Sequence, residues 1–347
     1  MMRKMMVGLM LVAMLMVSGL SFAQEPMVMC GGLAEADCAI LTQSADAMAG
    51  VSSATFTLDL SLDAGDQGNM DVVAEGSFEA DMAAMGLDAT ALAGLNASDP
   101  TAAMGVLKTL IQGFKGTMNV TLTGSSELGL PGDVNLDLVL VDGIGYMNFK
   151  KLATLAGPQG DQMLTGFGIT EWAGLDLVGA VDMLGGMAGE MGDMTAEQPD
   201  TAAVTEAVVN YISITRGADA DGEAVFTTTI DLAGLISDPA FADIMAAQGT
   251  EMTEDNAAEA MKVLEGVVIT STSTIDLTTF FQTSIAFDFA ISGEALAMSG
   301  DTAPSALNLS GNIAFDNFNA APAVVAPEGP VATIMDLMNM FGGMGGM

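Results

Sequence analysis

Apolar and polar residues alternate in short runs along much of the chain, with the two-residue period of β-strands. In residues 56–62 the even positions hold Phe or Leu, and the odd positions hold Thr, Asp or Ser. A turn-forming segment at 66–69 separates this run from a second one at 70–78, which predicts an antiparallel hairpin. Comparable runs predict further strands at 118–123, 134–140, 144–149, 212–216, 224–232, 266–277, 282–292 and 305–316.

Other segments have the composition or the periodicity of helices. Residues 33–48 carry a mostly apolar stripe, and helix formers are frequent in 82–115, 172–194 and 238–262. After Pro327 and Pro330, the apolar residues of 331–341 recur at a spacing of three and four, so a helix with one apolar face is expected there. Residues 331–347 are therefore either a helix that covers an apolar cavity or a frayed chain end.

Strands with one apolar and one polar face predict an α+β fold built on an antiparallel sheet that is solvated on one side. We expect residues 24–330 to form one domain, in which the segments 39–200 and 203–330 repeat one layout weakly. Either the helices alone cover the apolar face, or they enclose a hydrophobic ligand against it. The candidate lining residues are Phe56, Leu58, Leu60, Val120, Leu122, Leu136, Leu138, Phe226, Ile230, Phe287 and Phe289.

The N-terminus has the pattern of an export signal. Arg3 and Lys4 precede an apolar run, and Ser21-Phe22-Ala23 places small residues at the −3 and −1 positions of a cleavage site. We therefore predict a signal peptide at residues 1–23 and an extracytoplasmic protein that is secreted, periplasmic or at the cell surface. No later stretch of the sequence is long and apolar enough to suggest a transmembrane helix.

Cys30 and Cys38 follow the predicted cleavage site and are the two cysteines of the chain. In an oxidising compartment their natural pairing is a local disulfide. Lipidation of Cys30, as in a bacterial lipoprotein, is the alternative. Met27-Val28-Met29 places bulky residues where such signals carry small ones, which favours the disulfide.

The chain is strongly acidic, with 44 Asp and Glu against 8 Lys and Arg and a formal net charge of −36. Such a charge repels nucleic acids and anionic membrane surfaces, and it favours a soluble monomer. The acidic segment 219–223 lacks the ligand spacing of a calcium-binding loop and lies between two predicted strands. It is therefore expected to be a hairpin turn.

The chain has no histidine, so a serine or cysteine nucleophile would lack its usual base. A pair of carboxylates could catalyse glycoside hydrolysis without histidine. One Trp and two Tyr are few for stacking sugars, however, so we predict a protein that is not an enzyme and needs no cofactor.

Four methionines, Met183, Met187, Met191 and Met194, share one face of a predicted helix, and their thioethers suit Cu(I). An adaptable apolar lining explains the methionines equally well, since all 30 are spread over the chain.

Three segments resemble the LolA-like and LppX/LprG-like superfamily of lipoprotein carriers: residues 41–58, 141–147 and 171–176. The first has a helix that ends in a Val-Ser-Ser-Ala-Thr-Phe phrase and enters a strand, the second contains Asp142-Gly143 and Tyr146, and the third contains Trp172. The resemblance implies a strongly curved antiparallel sheet, a half-barrel, with helices covering its concave face. The chain departs from that family in lacking a clear lipidation motif, in its methionine content and in longer helical insertions.

Taken with the alternating strands, the resemblance implies an exported carrier or binding protein for a lipid or another hydrophobic ligand. Transient contact with a membrane or an envelope protein is expected during transfer. A structural or adhesive cell-surface β-protein without a ligand is the first alternative, and a methionine-based copper binder is the second.

Overall fold

The alternating segments form the strands of one large sheet. The computed structural model describes residues 30, 32–80, 85, 100–125, 133–155, 158–166, 168–190, 209–239, 266–293 and 305–333. The strands are β1 (Ser53–Asp63), β2 (Asn69–Ala80), β3 (Phe114–Gly124), β4 (Val134–Val141), β5 (Ile144–Asn148), β6 (Trp172–Asp176), β7 (Ile212–Arg216), β8 (Glu223–Ile230), β9 (Val267–Asp276), β10 (Gln282–Ile291), β11 (Leu307–Asp316) and β12 (Val331–Ala332). The helices are α1 (Glu35–Ala49), α2 (Pro100–Gly113), α3 (Phe149–Leu155), α4 (Pro158–Gly166), α5 (Leu177–Glu190) and α6 (Leu232–Ser237).

The strand order explains how a continuous sheet arises from two sequential runs of strands. The described strands lie in the order β12-β6-β5-β4-β3-β2-β1-β11-β10-β9-β8-β7. Neighbours that are consecutive in sequence pair antiparallel from β3 to β6 and from β7 to β11, whereas β12 runs parallel to β6. The fold is therefore α+β, with a mixed, mostly antiparallel sheet that does not close on itself.

The chain divides into two compact units. The first unit contains Met1–Gly50, Asp59–Asp71 and Thr195–Ala314, and the second contains Val51–Leu58, Val72–Met194 and Phe315–Met347. In the first unit, Ala224, Phe226 and Ile275 form one buried cluster, and Leu232 with Ile269 forms another. In the second unit, Val141, Tyr146 and Val324 are the buried centre of a cluster that also includes Trp172. The single domain at 24–330 and its repeated halves stay predictions.

Most predicted strands and the first helix are confirmed to within a few residues. The predicted helical stretch at 172–194 is wrong at its beginning, because Trp172–Asp176 is strand β6 and the helix starts at Leu177. Tyr146 is the register partner of Gly174, and a Cβ on Gly174 would lie 2.9 Å from the Tyr146 ring, so glycine permits this close pairing. Asp176 then ends the strand and caps the helix, since its carboxylate accepts a hydrogen bond from the N–H of Gly179 at 2.8 Å.

Three further differences concern helices. Helices α3 and α4 were not predicted, and the strand expected at 224–232 ends at Ile230 because Asp231 caps α6 through the N–H of Gly234. The helix expected at 331–341 does not begin at 331, where Val331 and Ala332 pair with β6 instead. Part of the helical stretch expected at 82–115 is confirmed as α2, whereas residues 82–84 and 86–99 lie outside the described residues. The signal peptide, residues 334–341 and most of the helix expected at 238–262 also lie outside them.

Gly76 on β2 is required by a close approach between strands, which makes its replacement a test of the sheet. A Cβ at Gly76 would overlap the carbonyl oxygen of Thr117 on β3 and lie 2.9 Å from the Phe56 ring. Because backbone cannot move aside cheaply, we expect Gly76→Ala to lower the free energy of unfolding by about 1–3 kcal/mol, measured by denaturant unfolding. Gly105→Ala is the control: this exposed glycine of α2 has open space around it, and the change should stabilise by about 0.5–1 kcal/mol. Equal effects of the two changes would contradict the β2–β3 pairing.

The predicted disulfide is present between Cys30 and Cys38, whose Cα atoms lie 5.3 Å apart. We expect alkylation of the unreduced protein to label neither cysteine. In the loop-entropy description, the double change to serine should lower the free energy of unfolding by about 2–3 kcal/mol, because the crosslink restricts the unfolded chain. Labelling of both thiols before reduction, or a lipid mass on Cys30, would contradict the pairing.

Candidate functional site

The register of the first unit places four of the predicted lining residues on one face of the sheet. Phe226 lies opposite Ser273, Phe287 lies opposite Ser271, and Phe289 lies opposite Ile269. These positions alternate along each strand, so their side chains share a face. Ile230, four residues beyond Phe226 on the same strand, shares it too.

Leu60 of β1 reaches the same face. Gly311 is the register partner of Phe287, and a Cβ on Gly311 would lie 2.5 Å from the Phe287 ring and 3.1 Å from a methyl of Leu60. The missing side chain at Gly311 lets the Phe287 ring and Leu60 meet over the backbone. A predicted residue from the first strand and one from the tenth are thereby brought together.

In the second unit, the other predicted residues also share one face. Val120 lies opposite Leu136, and Leu122 and Leu138 are two residues further along their strands. Phe114, on the same face of β3, stacks on Phe78 with ring centroids 6.1 Å apart.

Phe56 and Leu58 of β1 belong to that face as well. The Phe56 ring lies beside Gly76, two residues before Phe78 on the same face of β2. Leu58 is two residues after Phe56 on β1, so its side chain lies on the same face. The sequence prediction of a shared apolar face therefore agrees with the register of each unit.

Exposure separates the predicted residues into two groups. Phe226 is 1% exposed and belongs to the core. Phe56, Leu58, Leu60, Val120, Leu122, Leu136, Leu138, Ile230, Phe287 and Phe289 are half-buried. The apolar face is therefore only partly covered by the residues that the structure describes.

Helix α1 covers the Phe226 end of the face in the first unit. Leu33, Ile40 and Leu41 pack against the cluster of Ala224, Phe226 and Ile275. The disulfide joins Cys38 within α1 to the segment that precedes the helix. Helix packing of this kind explains why Phe226, Ala224 and Ile275 are buried while Phe287 and Phe289, further along the face, are half-buried.

Arg216 links the edge strand β7 to α1. Its guanidinium donates two hydrogen bonds from Nη2 to Asp219, at 2.7 and 2.9 Å, and one from Nη1 to Asp37 of α1. It also lies over the Phe226 ring, 5.6 Å from the centroid. The hydrogen bonds to Asp219 and then to Asp37 raise the pKa of Arg216 further above its ordinary value, so both carboxylates face a permanent cation.

Helix α6 covers the opposite end of the same strands. Leu232 is buried with Ile269, and Ile230 and Phe289 pack against them. Tyr211 supports this helix, because its hydroxyl donates to the Asp238 carboxylate at 2.8 Å. That bond raises the pKa of the Tyr211 phenol, since the carboxylate is best satisfied by the protonated hydroxyl.

Three hydroxyls lie on the apolar face between these two ends, and the sequence analysis missed them. Thr228 is the register partner of Ser271, and Ser273 is two residues from Ser271 and opposite Phe226. All three are half-buried, and among the residues that the structure describes no hydrogen bond engages their hydroxyls. The signal in the sequence was the runs Thr227–Thr229 and Ser271–Ser273, where polar residues interrupt the alternation.

In the second unit, α2 and α5 pack together near the apolar face. Lys108 of α2 and Asp182 of α5 form an ion pair at 2.8 Å, and Met104 approaches Gly185. A Cβ on Gly145 of β5 would lie 3.1 Å from Leu177, so the start of α5 lies against the face that carries Leu138 and Met147. Met183 is half-buried in α5, whereas the side chain of Met187 and residues Met191 and Met194 lie outside the description.

The acidic segment 219–223 is a hairpin turn, as predicted. Asp221 and Gly222 both have positive φ, 53° and 85°, and β7 pairs antiparallel with β8 on either side. Asp219 is engaged by Arg216 instead of being free for a cation. Among the described residues, no group of three or more His, Cys, Asp or Glu is arranged to hold a metal ion.

Within the described part of the chain, no helix has the length and apolar character needed to cross a membrane. No protein-family model matches the chain, and no curated protein matches it.

The Arg216 contacts are tested by comparing two ion pairs. Arg216→Met would leave Asp37 and Asp219 without their half-buried cation, so we expect a loss of about 1–3 kcal/mol in the free energy of unfolding. Lys108→Met breaks the exposed pair with Asp182 and should cost less than about 1 kcal/mol. Urea unfolding of both variants gives the comparison, and a loss at Arg216 no larger than at Lys108 would exclude a stabilising role for the link to α1.

Proposed function

We propose that this protein is an exported carrier or binding protein for a lipid or another hydrophobic ligand. The observation that supports the proposal is the apolar face in each unit: ten predicted lining residues on these faces stay half-buried, while helices pack on parts of the face in the first unit. Aromatic and aliphatic side chains left partly open in this way gain free energy when an apolar ligand covers them, by roughly 25 cal/mol per Å² of apolar surface buried.

The finer features of the proposal follow the resemblance to the LolA-like and LppX/LprG-like carriers. In this proposal the sheet curves as a half-barrel, the helices cover its concave face, and acyl chains lie between them. The predicted signal peptide directs the protein out of the cytoplasm. In the oxidising compartment outside it, the disulfide of Cys30 and Cys38 is stable. The protein works as a monomer that meets a membrane or an envelope protein transiently and binds no nucleic acid.

The proposed role is binding without catalysis. The chain contains no histidine, and the pKa values that depart most clearly from ordinary ones belong to groups that hold turns and helices in place. Asp276, for example, has a lowered pKa because its carboxylate accepts hydrogen bonds from the N–H groups of Thr279 and Thr278 in the β9–β10 turn. Such a carboxylate stabilises the turn whose N–H groups it accepts from.

Native mass spectrometry of protein purified from its own host tests the proposal directly. We expect a fraction of the protein to carry the additional mass of a lipid, which organic extraction removes. A protein of bare polypeptide mass that also binds no apolar dye would contradict carriage and favour the structural or adhesive alternative. Bound copper would instead favour the metal-binding alternative.

A pair of variants locates the binding face. Phe287→Ala removes a half-buried ring from the middle of the apolar face, so it should weaken binding of the neutral dye N-phenyl-1-naphthylamine about tenfold. Val268→Ala removes a side chain that is 55% exposed on the opposite face of β9 and should leave dye binding unchanged. Thermal unfolding of each variant verifies that it is folded. Equal dye affinities in the two folded variants would exclude this face as the binding site.

A further inference from the structure

The hydroxyls of Thr228, Ser271 and Ser273 form a polar patch inside an otherwise apolar surface. Thr228 and Ser271 are direct cross-strand neighbours, and side chains in such positions have Cβ atoms about 5 Å apart. Ser273 follows Ser271 on the same face of β9, about 7 Å further along the strand. A single polar group of a ligand can therefore reach all three.

The patch lies between two apolar clusters on the same strands. Phe226, which packs under α1, is the register partner of Ser273, whereas Ile269, which packs under α6, is two residues from Ser271. Phe287, opposite Ser271, adds a half-buried ring beside the patch. An amphiphile placed here has its polar group on the hydroxyls and its apolar part against Phe287 and Leu60.

The hydroxyls are available for such a contact. In the described part of the chain, no hydrogen bond engages any of the three hydroxyls. Every fully buried side-chain oxygen or nitrogen there does have a partner, so an oxygen without one is not fully buried. Their oxygens are therefore accessible from the apolar side. On the opposite face, by contrast, the Thr227 and Thr272 hydroxyls lie 3.4 Å apart and bond to each other.

The charges on this face also restrict the class of head group that a ligand can carry. On the apolar face of β7 to β11, as far as the structure describes it, the one charged side chain is Arg216, and Asp37 and Asp219 neutralise it. An ionised head group buried on this surface would lose its hydration without gaining a counter-ion, which disfavours its binding. Hydroxyls, which both donate and accept, satisfy an uncharged hydroxyl or ester group without that loss.

We infer that the ligand of this face is an uncharged amphiphile, such as an acylglycerol or a long-chain alcohol, whose hydroxyl or ester group hydrogen-bonds to Thr228, Ser271 and Ser273. The inference rests on the proposed carrier function and adds the class of head group. It gives the three hydroxyls a role in discriminating neutral from charged lipids.

Competition against bound N-phenyl-1-naphthylamine at pH 8 tests the inference. Monopalmitoylglycerol should displace the dye at a concentration at least about tenfold lower than palmitate, which carries the same chain and a negative charge. The triple variant Thr228→Val, Ser271→Ala, Ser273→Ala should weaken monopalmitoylglycerol about tenfold, while the affinity for the apolar dye stays the same. Unchanged dye affinity shows that the variant is folded.

The matched control changes the same residue types on the opposite face: Thr229→Val, Ser213→Ala and Ser310→Ala, all of them exposed. It should bind monopalmitoylglycerol as the unchanged protein does. Equal or tighter binding of palmitate, or a triple variant that keeps full affinity for monopalmitoylglycerol, overturns the inference and leaves the carrier function standing. Failure of the unchanged protein to bind the dye and both lipids overturns the carrier function itself.

Discussion

The rest of the structure depends on the register between neighbouring strands. Side chains alternate between the two faces of a strand, so a slip of one residue would exchange the apolar set for the polar set. The pairing of β9 with β10 brings Ile269 to Phe289 on one face and Thr270 to Asp288 on the other. Because the same correspondence continues through β8 and β11, the first unit has one coherent apolar face and one rich in Thr, Ser and Asn.

The strands could be predicted because their two-residue period is a local property of the sequence. Strand β6 was missed because it has only five residues, Trp172–Asp176, and is followed directly by helix formers. The adjacency of β1 and β11 could not be predicted, since it depends on contacts between distant residues such as the hydrogen bond from the Ser52 N–H to the Asn319 side chain. The sequence of neither β1 nor β11 contains a feature that specifies the other strand as its neighbour.

The shared face of the candidate site was also predictable, but the degree of burial at each position was not. Phe226 and Phe287 occupy equivalent places in alternating runs, yet Phe226 is in the core while Phe287 is half-buried. The difference comes from α1, which Arg216 and the Cys30–Cys38 disulfide hold in place. The hydroxyl patch was missed because a search for apolar positions passes over the serines and threonines among them.

The position of β1 between β2 and β11 affects the order in which the chain can fold. During synthesis the hairpins of β3 to β5 can form from neighbouring residues. The edge of β1 that pairs with β11, by contrast, stays unpaired until about 250 further residues have been synthesised. An unpaired edge of this length is a template for pairing with other chains. Until β11 has been synthesised, this edge of β1 is therefore open to pairing with other chains, which makes the sheet order itself a source of aggregation risk.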